Sequence, residues 1–233
     1  MRKTVLFLSL SLLFAAAAFA ADPAIGVAEF RNDTAAGWWY GGVGRDLAGM
    51  LSNELSATGK FRVVERSKLD SVLSEQDLGA AGRINPATRA KVGKVTGAKY
   101  LVFATVSAFE EKVAGSGGGV SFRGISVGGK KGEAYLAIDL RVVDTTTGDI
   151  EFSRTVEGRS GSKGVNVGLY RGGFGGNLGK EEKTPVGKAI RGAIIEISEY
   201  LTCAMVDQDD CMDEYAAKDK SRKEKTKKAI KLD

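Results

Sequence analysis

The run YLVFATVSAF, Tyr100 to Phe109, decides the fold. Ten residues rich in β-branched and aromatic side chains, without proline or charge, read as a long strand whose centre is apolar enough to be buried on both faces. Such a strand needs layers around it, and the sequence before it supplies them. Ala24 to Phe30 (AIGVAEF) is a short apolar run closed by Arg31-Asn32-Asp33, a strand followed by turn chemistry. From Arg45 the period changes: Leu47, Met50, Leu51 and Leu55 share one helical stripe, and Gly59 stands where a helix stops. Phe61 to Glu65 is a second strand. Ser67 with Asp70 resembles a capping box opening a helix with Leu69, Val72 and Leu73 inward and Gly79 at its end. Asn85-Pro86 opens a third helix, ending near Gly97. The order is β-α-β-α-α-β.

Downstream the composition changes. Residues 113–179 hold 18 of the chain's 31 glycines and no proline, yet alternation persists inside them. Ala134, Leu136, Ile138, Leu140 and Val142 point one way, and Tyr135, Asp139 and Arg141 the other. Ile150, Phe152 and Val156 oppose Glu151, Ser153 and Glu157, with Arg154 as the one exception. Val165, Val167 and Leu169 oppose Asn166, Gly168 and Tyr170. These segments read as two hairpins, 113–143 and 150–176, turning at Gly128–Gly132 and Arg159–Gly164 and joined through Asp144–Asp149. The candidate outward-facing side chains are Val120, Phe122, Ala134, Leu136, Ile138, Val165, Val167 and Leu169. Mobile arms of a soluble protein and one subunit's share of a transmembrane barrel both fit that alternation. The fold class is therefore α/β, a mixed sheet flanked by helices, carrying two Gly-rich hairpins. Thr184-Pro185 then opens a helix with Val186, Ala189, Ile190, Ala193, Ile197 and Leu201 on one face.

The ends place the protein. Arg2 and Lys3, an apolar core from Val5 to Phe14 and the small-residue site Ala18-Phe19-Ala20 read as a signal peptide over residues 1–20. The apolar core is too short for a spanning helix, and no cysteine lies at the site to carry a lipid. Residues 21–206 form the expected domain and 207–233 a charged tail. The net charge of +5 belongs to the termini: without the leader and residues 216–233, the body carries 24 basic and 26 acidic side chains, which argues against nucleic acid.

No histidine is present, so the commonest general base and zinc ligand are missing. The stretch Gly42–Gly49 lacks the spacing of a nucleotide loop, and an Asp207 calcium loop fails at Met212 and Lys218. No catalytic constellation stands out, and no cofactor or metal is expected. Cys203 and Cys211 could form a disulfide, provided no single helix runs through both: eight residues of helix would hold the Cα atoms ~12 Å apart, beyond the ~7 Å limit. Trp38, Trp39 and Tyr40 crowd a glycine-flanked loop, either folded back on the body or presented as a contact surface.

Four segments together, IGVAEFRN from Ile25, FRVVER from Phe61, GAKYLV from Gly97 and LRVVD with TGDI from Leu140 to Ile150, resemble the CsgG family of curli secretion channels. The resemblance implies a periplasmic body that assembles into a homo-oligomeric ring. Each subunit would lend two hairpins to one outer-membrane barrel, through which unfolded secreted protein subunits pass without ATP. It places Trp38–Tyr40 at the constriction loop, with Tyr40 matching its tyrosine. A periplasmic accessory protein would be a further partner. The alternative is a soluble periplasmic accessory protein of the same body that docks on envelope assembly machinery.

Overall fold

The computed structural model describes residues 22–114, 120–122, 125–127, 131–160 and 184–230. The leader, together with Val165, Val167 and Leu169, lies outside the described residues.

Parallel strands come first. β1 (Ala24–Val27), β2 (Arg31–Asn32) and β3 (Arg62–Val63) are short, and β4 (Tyr100–Ala114) is long. β1 lies between β3 and β4, parallel to both, and β2 continues the β1 side by pairing Arg31 with Thr105. Helix α1 (Val43–Thr58) makes the β1-to-β3 crossover and α2 (Leu69–Ala80) leads from β3 to β4. Two antiparallel strands follow: β7 (Lys131–Asp144) pairs with β4, and β8 (Ile150–Ser160) pairs with β7 as the edge. The small pair β5 (Val120–Phe122) and β6 (Ile125–Val127) forms a separate ladder. The main sheet runs β3-β1-β4-β7-β8 and is mixed, as the alternation of strands and helices indicates.

One face of this sheet carries the core. Val102, Ala104 and Val106 of β4 and Leu136, Ile138, Leu140 and Val142 of β7 meet Leu47, Leu51 and Leu55 of α1. They also meet Ile190, Ala193, Ile197 and Leu201 of α3 (Pro185–Thr202), whose expected apolar face is buried throughout. Thr184 caps α3, its Oγ1 accepting from Gly187 N at 3.0 Å. At Gly158 the helix comes so close that an added Cβ would run into the Ala189 carbonyl.

Several expectations change. β4 is covered on one face only: Phe103 is 41% exposed. Ala134, Leu136 and Ile138 belong to the body core beneath α3, not to a lipid-facing surface. β7 already begins at Lys131, inside the expected Gly128–Gly132 turn, and Phe122 pairs with Ile125. The capping box at Ser67 and Asp70 does not form. Instead the Glu65 carboxylate accepts from Ser67 Oγ at 2.7 Å and Lys68 N at 3.0 Å, and α2 runs to Ala80, just past Gly79. Val72 and Leu73, expected inward, are exposed.

No helix opens at Asn85-Pro86. The Asn85 side chain closes a local turn on Ala87 N at 2.9 Å, and Gly93 sits at φ +73°. Val92 and Val95 form no stripe that a neighbouring layer buries, so helix propensity alone has nothing to reinforce it.

The C-terminal segment is not a separate tail. After α3 the chain makes a π-helical turn (Cys203–Asp207), reverses at Gln208 (φ +50°) and starts α4 (Cys211–Ile230). That break brings the Cα atoms of Cys203 and Cys211 to 6.1 Å, joined by a disulfide. The geometric condition read from the spacing is thus met.

Candidate functional site: the aromatic loop and the glycine-rich end of the sheet

The loop between β2 and α1 is built by local hydrogen bonds. Asn32 Oδ1 accepts from Thr34 N at 3.0 Å and from Thr34 Oγ1 at 2.7 Å, while Ala36 N donates to Thr34 Oγ1 at 3.2 Å. Trp39 N donates to Ala36 O and Val43 N to Tyr40 O, both at 3.1 Å. Gly42 closes the loop at φ +98°, where a β-carbon would be strained, and α1 starts. Gly44, two residues on, packs so tightly that an added Cβ would run into the Phe30 carbonyl.

A bulge in β4 fixes where this loop sits. The register with β7 slips between Val106 and Ala108, leaving Ser107 unpaired. Before the slip the even-numbered residues face the core; after it Phe109 stands opposite Leu136 and turns to the core face. Trp38 stacks edge-on to Phe109 with centroids 5.7 Å apart, and Trp39 stacks on Trp38 at 5.5 Å. Both tryptophans therefore fold back as a partly buried pair. Tyr40, at 40% exposed, is the ring left facing outward. Of the three aromatics grouped in the sequence, two anchor and one presents.

Phe109 is five residues from the end of β4. There the ladder continues through Val113↔Gly132 and Ala114↔Lys131, beyond the last β7–β8 pair, Ala134↔Ser160. Ser160 Oγ donates to Pro185 O at 2.6 Å, so the start of α3 marks the same level. The described residues that flank segments 115–130 and 161–183, namely Ala114, Lys131, Ser160 and Pro185, thus all lie at one end of the sheet. Val120 and Phe122 lie in β5 within the first segment.

Sequence reasoning left Arg154 as an unexplained break in alternation. Its side chain is 8% exposed and points to the helix side of β8, where Nη1 donates to Tyr215 O at 2.9 Å. The guanidinium lies 5.2 Å from the Tyr200 ring centroid and 4.8 Å from that of Tyr215. Burial pushes the Tyr215 phenol well above its ordinary pKa, so the ring stays neutral beside the cation. Arg154 is the clamp that holds α4 to the body. The signal was present as one charge on an apolar face, a position rarely tolerated unless paired.

On the open side, Tyr135 OH donates to Glu157 Oε1 at 3.1 Å, and Arg159 binds Glu157 Oε2 at 2.8 Å while lying over the Tyr135 ring. Burial first and the Glu157 charge second raise the Tyr135 pKa. Among the described residues, no helix is long and apolar enough to cross a membrane. Among the described residues the one cluster with metal-ligand geometry, Cys203, Asp209 and Cys211, has both sulfurs in the disulfide.

The family model described as "Curli production assembly/transport component CsgG" matches residues 9–230. None of the curated proteins matches the sequence. Solved structures match at low identity. A PelC dodecamer from Paraburkholderia phytofirmans is 15% identical, with TM-score 0.40 over 76% of this chain and 84% of that one. Lipoprotein GNA1162 from Neisseria meningitidis is 17% identical, with TM-score 0.33 over 62% and 87%. The hypothetical protein CT253 from Chlamydia trachomatis is 13% identical, with TM-score 0.46 over 80% and 99%.

Proposed function

The chain belongs to the CsgG family, and from that membership we propose that it is the subunit of an oligomeric outer-membrane channel of the curli-secretion type. Unfolded secreted protein subunits cross it passively, through a constriction ringed by Tyr40. The observation that carries this reading is that Ala114, Lys131, Ser160 and Pro185, which flank the two glycine-rich segments, lie at one end of the β4-β7-β8 sheet, beside the aromatic loop.

The outgoing half of the first segment has the length and composition of a membrane-crossing strand. Glu110, Glu111, Lys112, Lys131 and Glu133 make a charged base, and between Val113 and Gly129 the only charge is Arg123. Before Arg123 the run Val113–Phe122 holds ten uncharged residues, and after it the run Gly124–Gly129 holds six before Lys130. A tilted strand needs about 9–11 residues to cross the apolar band. Glycine is tolerated in such strands because each one pairs on both sides in a closed barrel. Val72, Leu73, Leu78, Val92 and Val95 remain exposed on one stretch of chain, a set that a ring neighbour would cover.

Membrane fractionation of the expressed protein tests the reading. The channel predicts sedimentation with the outer membrane, resistant to carbonate washing, and loss of that behaviour when Val165, Val167 and Leu169 are all replaced by Asp. Release by osmotic shock as a soluble monomer, unchanged by the triple substitution, would instead assign the body to the soluble accessory role.

A further inference from the structure

Helix α4 returns antiparallel to α3. Tyr215 stacks on Tyr200 at 5.2 Å, and Lys218 Nζ meets Glu196 Oε1 at 3.0 Å, so rising numbers on α4 match falling numbers on α3. Extended over the helix, this brings the Lys225–Lys228 end of α4 level with Pro185 and Ser160. That is the end of the sheet which releases the glycine-rich segments.

Between this half of α4 and the edge strand β8 lies an open groove of about 670 Å³. Its wall carries Tyr135, Arg154, Arg159, Lys218, Arg222 and Lys225. Three carboxylates face these five cations, and each is already engaged: Glu157 with Arg159, Glu196 with Lys218, and Asp219 with both Arg154 (3.7 Å) and Arg222 (3.6 Å). One aspartate stands between two arginines, and the buried Nε atoms of Arg154 and Arg222 have no hydrogen-bond acceptor, while the buried Asp219 Oδ1 beside them accepts no hydrogen bond. Lys225 has no carboxylate partner among the described residues and adds an unbalanced charge. Lys228 follows Lys225 one turn on, and Lys223, Glu224 and Lys227 are exposed on the other faces of the same half of α4.

We infer that the groove between α4 and β8, with the lysine-rich end of α4, binds the phosphate of an anionic glycerophospholipid headgroup at the membrane surface facing the body. The inference rests on the outer-membrane reading, since it takes the membrane to lie at the end of the sheet where the glycine-rich segments leave. The chemistry is that of paired guanidinium donors and mobile ammonium groups on a phosphate monoanion, assisted by the helix-parallel array of lysines. The neutral Tyr135 hydroxyl lies in the same wall. Its phenol provides a polar partner for the glycerol end.

The test is titration of the purified full chain with short-chain phosphatidylglycerol, short-chain phosphatidylcholine and inorganic phosphate, read by phosphorus NMR below the micelle concentration. Saturable phosphatidylglycerol binding is expected, weakened by added salt and about tenfold weaker for Lys225→Glu, while Lys225→Arg keeps it. Lys225 is solvent-exposed in the groove wall, so circular dichroism of both variants should match the parent. Equal binding of phosphatidylcholine, or no effect of Lys225→Glu, overturns the inference. Inorganic phosphate binding as tightly as the lipid overturns the lipid assignment. Rings seen without headgroup binding sink this inference alone; headgroup binding without rings sinks the channel reading alone.

Discussion

At the scale of single residues, Arg154 and Gly158 show how little of β8 is interchangeable. Replacing Arg154 with Met removes the donor to Tyr215 O and leaves Asp219 with Arg222 as its sole cation. A loss of about 2–4 kcal/mol is expected, with limited proteolysis first cutting within α4. Gly158→Ala forces a methyl group into the Ala189 backbone, so thermal unfolding should show about 1–3 kcal/mol of destabilisation although the residue type barely changes. Glu65 makes a pH-dependent contribution. Burial pushes its carboxyl up, but the bonds from Ser67 and Lys68 outweigh that and hold it below the ordinary value. Its folded pKa is depressed, so the stabilisation is complete above the unfolded value, roughly 4.3, and is lost as pH falls through the folded one. Because Glu65 is exposed, Glu65→Gln should cost only a few tenths of a kcal/mol near neutrality, with the gap to the parent closing as pH falls through the folded value in a series of urea melts.

At the scale of elements, the disulfide governs the turn between α3 and α4. It closes a loop of eight residues' separation, and Cys203→Ser with Cys211→Ser should lower stability by about 2–3 kcal/mol, measured against the parent with and without reductant. An unchanged melting curve on reduction would count against that role. The elements also show what the sequence carries. β1, α1, β4 and α3 are legible because each has a buried face that repeats with the period of its backbone. The aromatic loop is legible as a cluster but not in its division of labour. That division depends on the bulge at Ser107, which turns Phe109 to the core side and has no periodic signature. The apolar alternation of β7 is equally legible, yet Ala134, Leu136 and Ile138 answer to α3, not to lipid. Alternation states that one face is buried without stating what buries it. The missing helix after Asn85 fails for the complementary reason, because its apolar residues define no face.

At the scale of the whole molecule, the body is a one-sided sheet whose helices cover a single face and whose long strands deliver two glycine-rich segments at one end. Phe103 on the open face and the exposed valines and leucines of α2 and residues 92–95 are what an assembly would cover. Substituting Val72 and Leu73 with Glu should therefore abolish assembly, seen as a shift to monomer in light scattering of the detergent extract, with the helical and strand signal in circular dichroism retained. The channel itself is tested most directly by electron microscopy of the full chain extracted in detergent from outer membrane. The account predicts closed rings with a central opening narrowed at the level of Tyr40, and monomeric bodies without rings would contradict it.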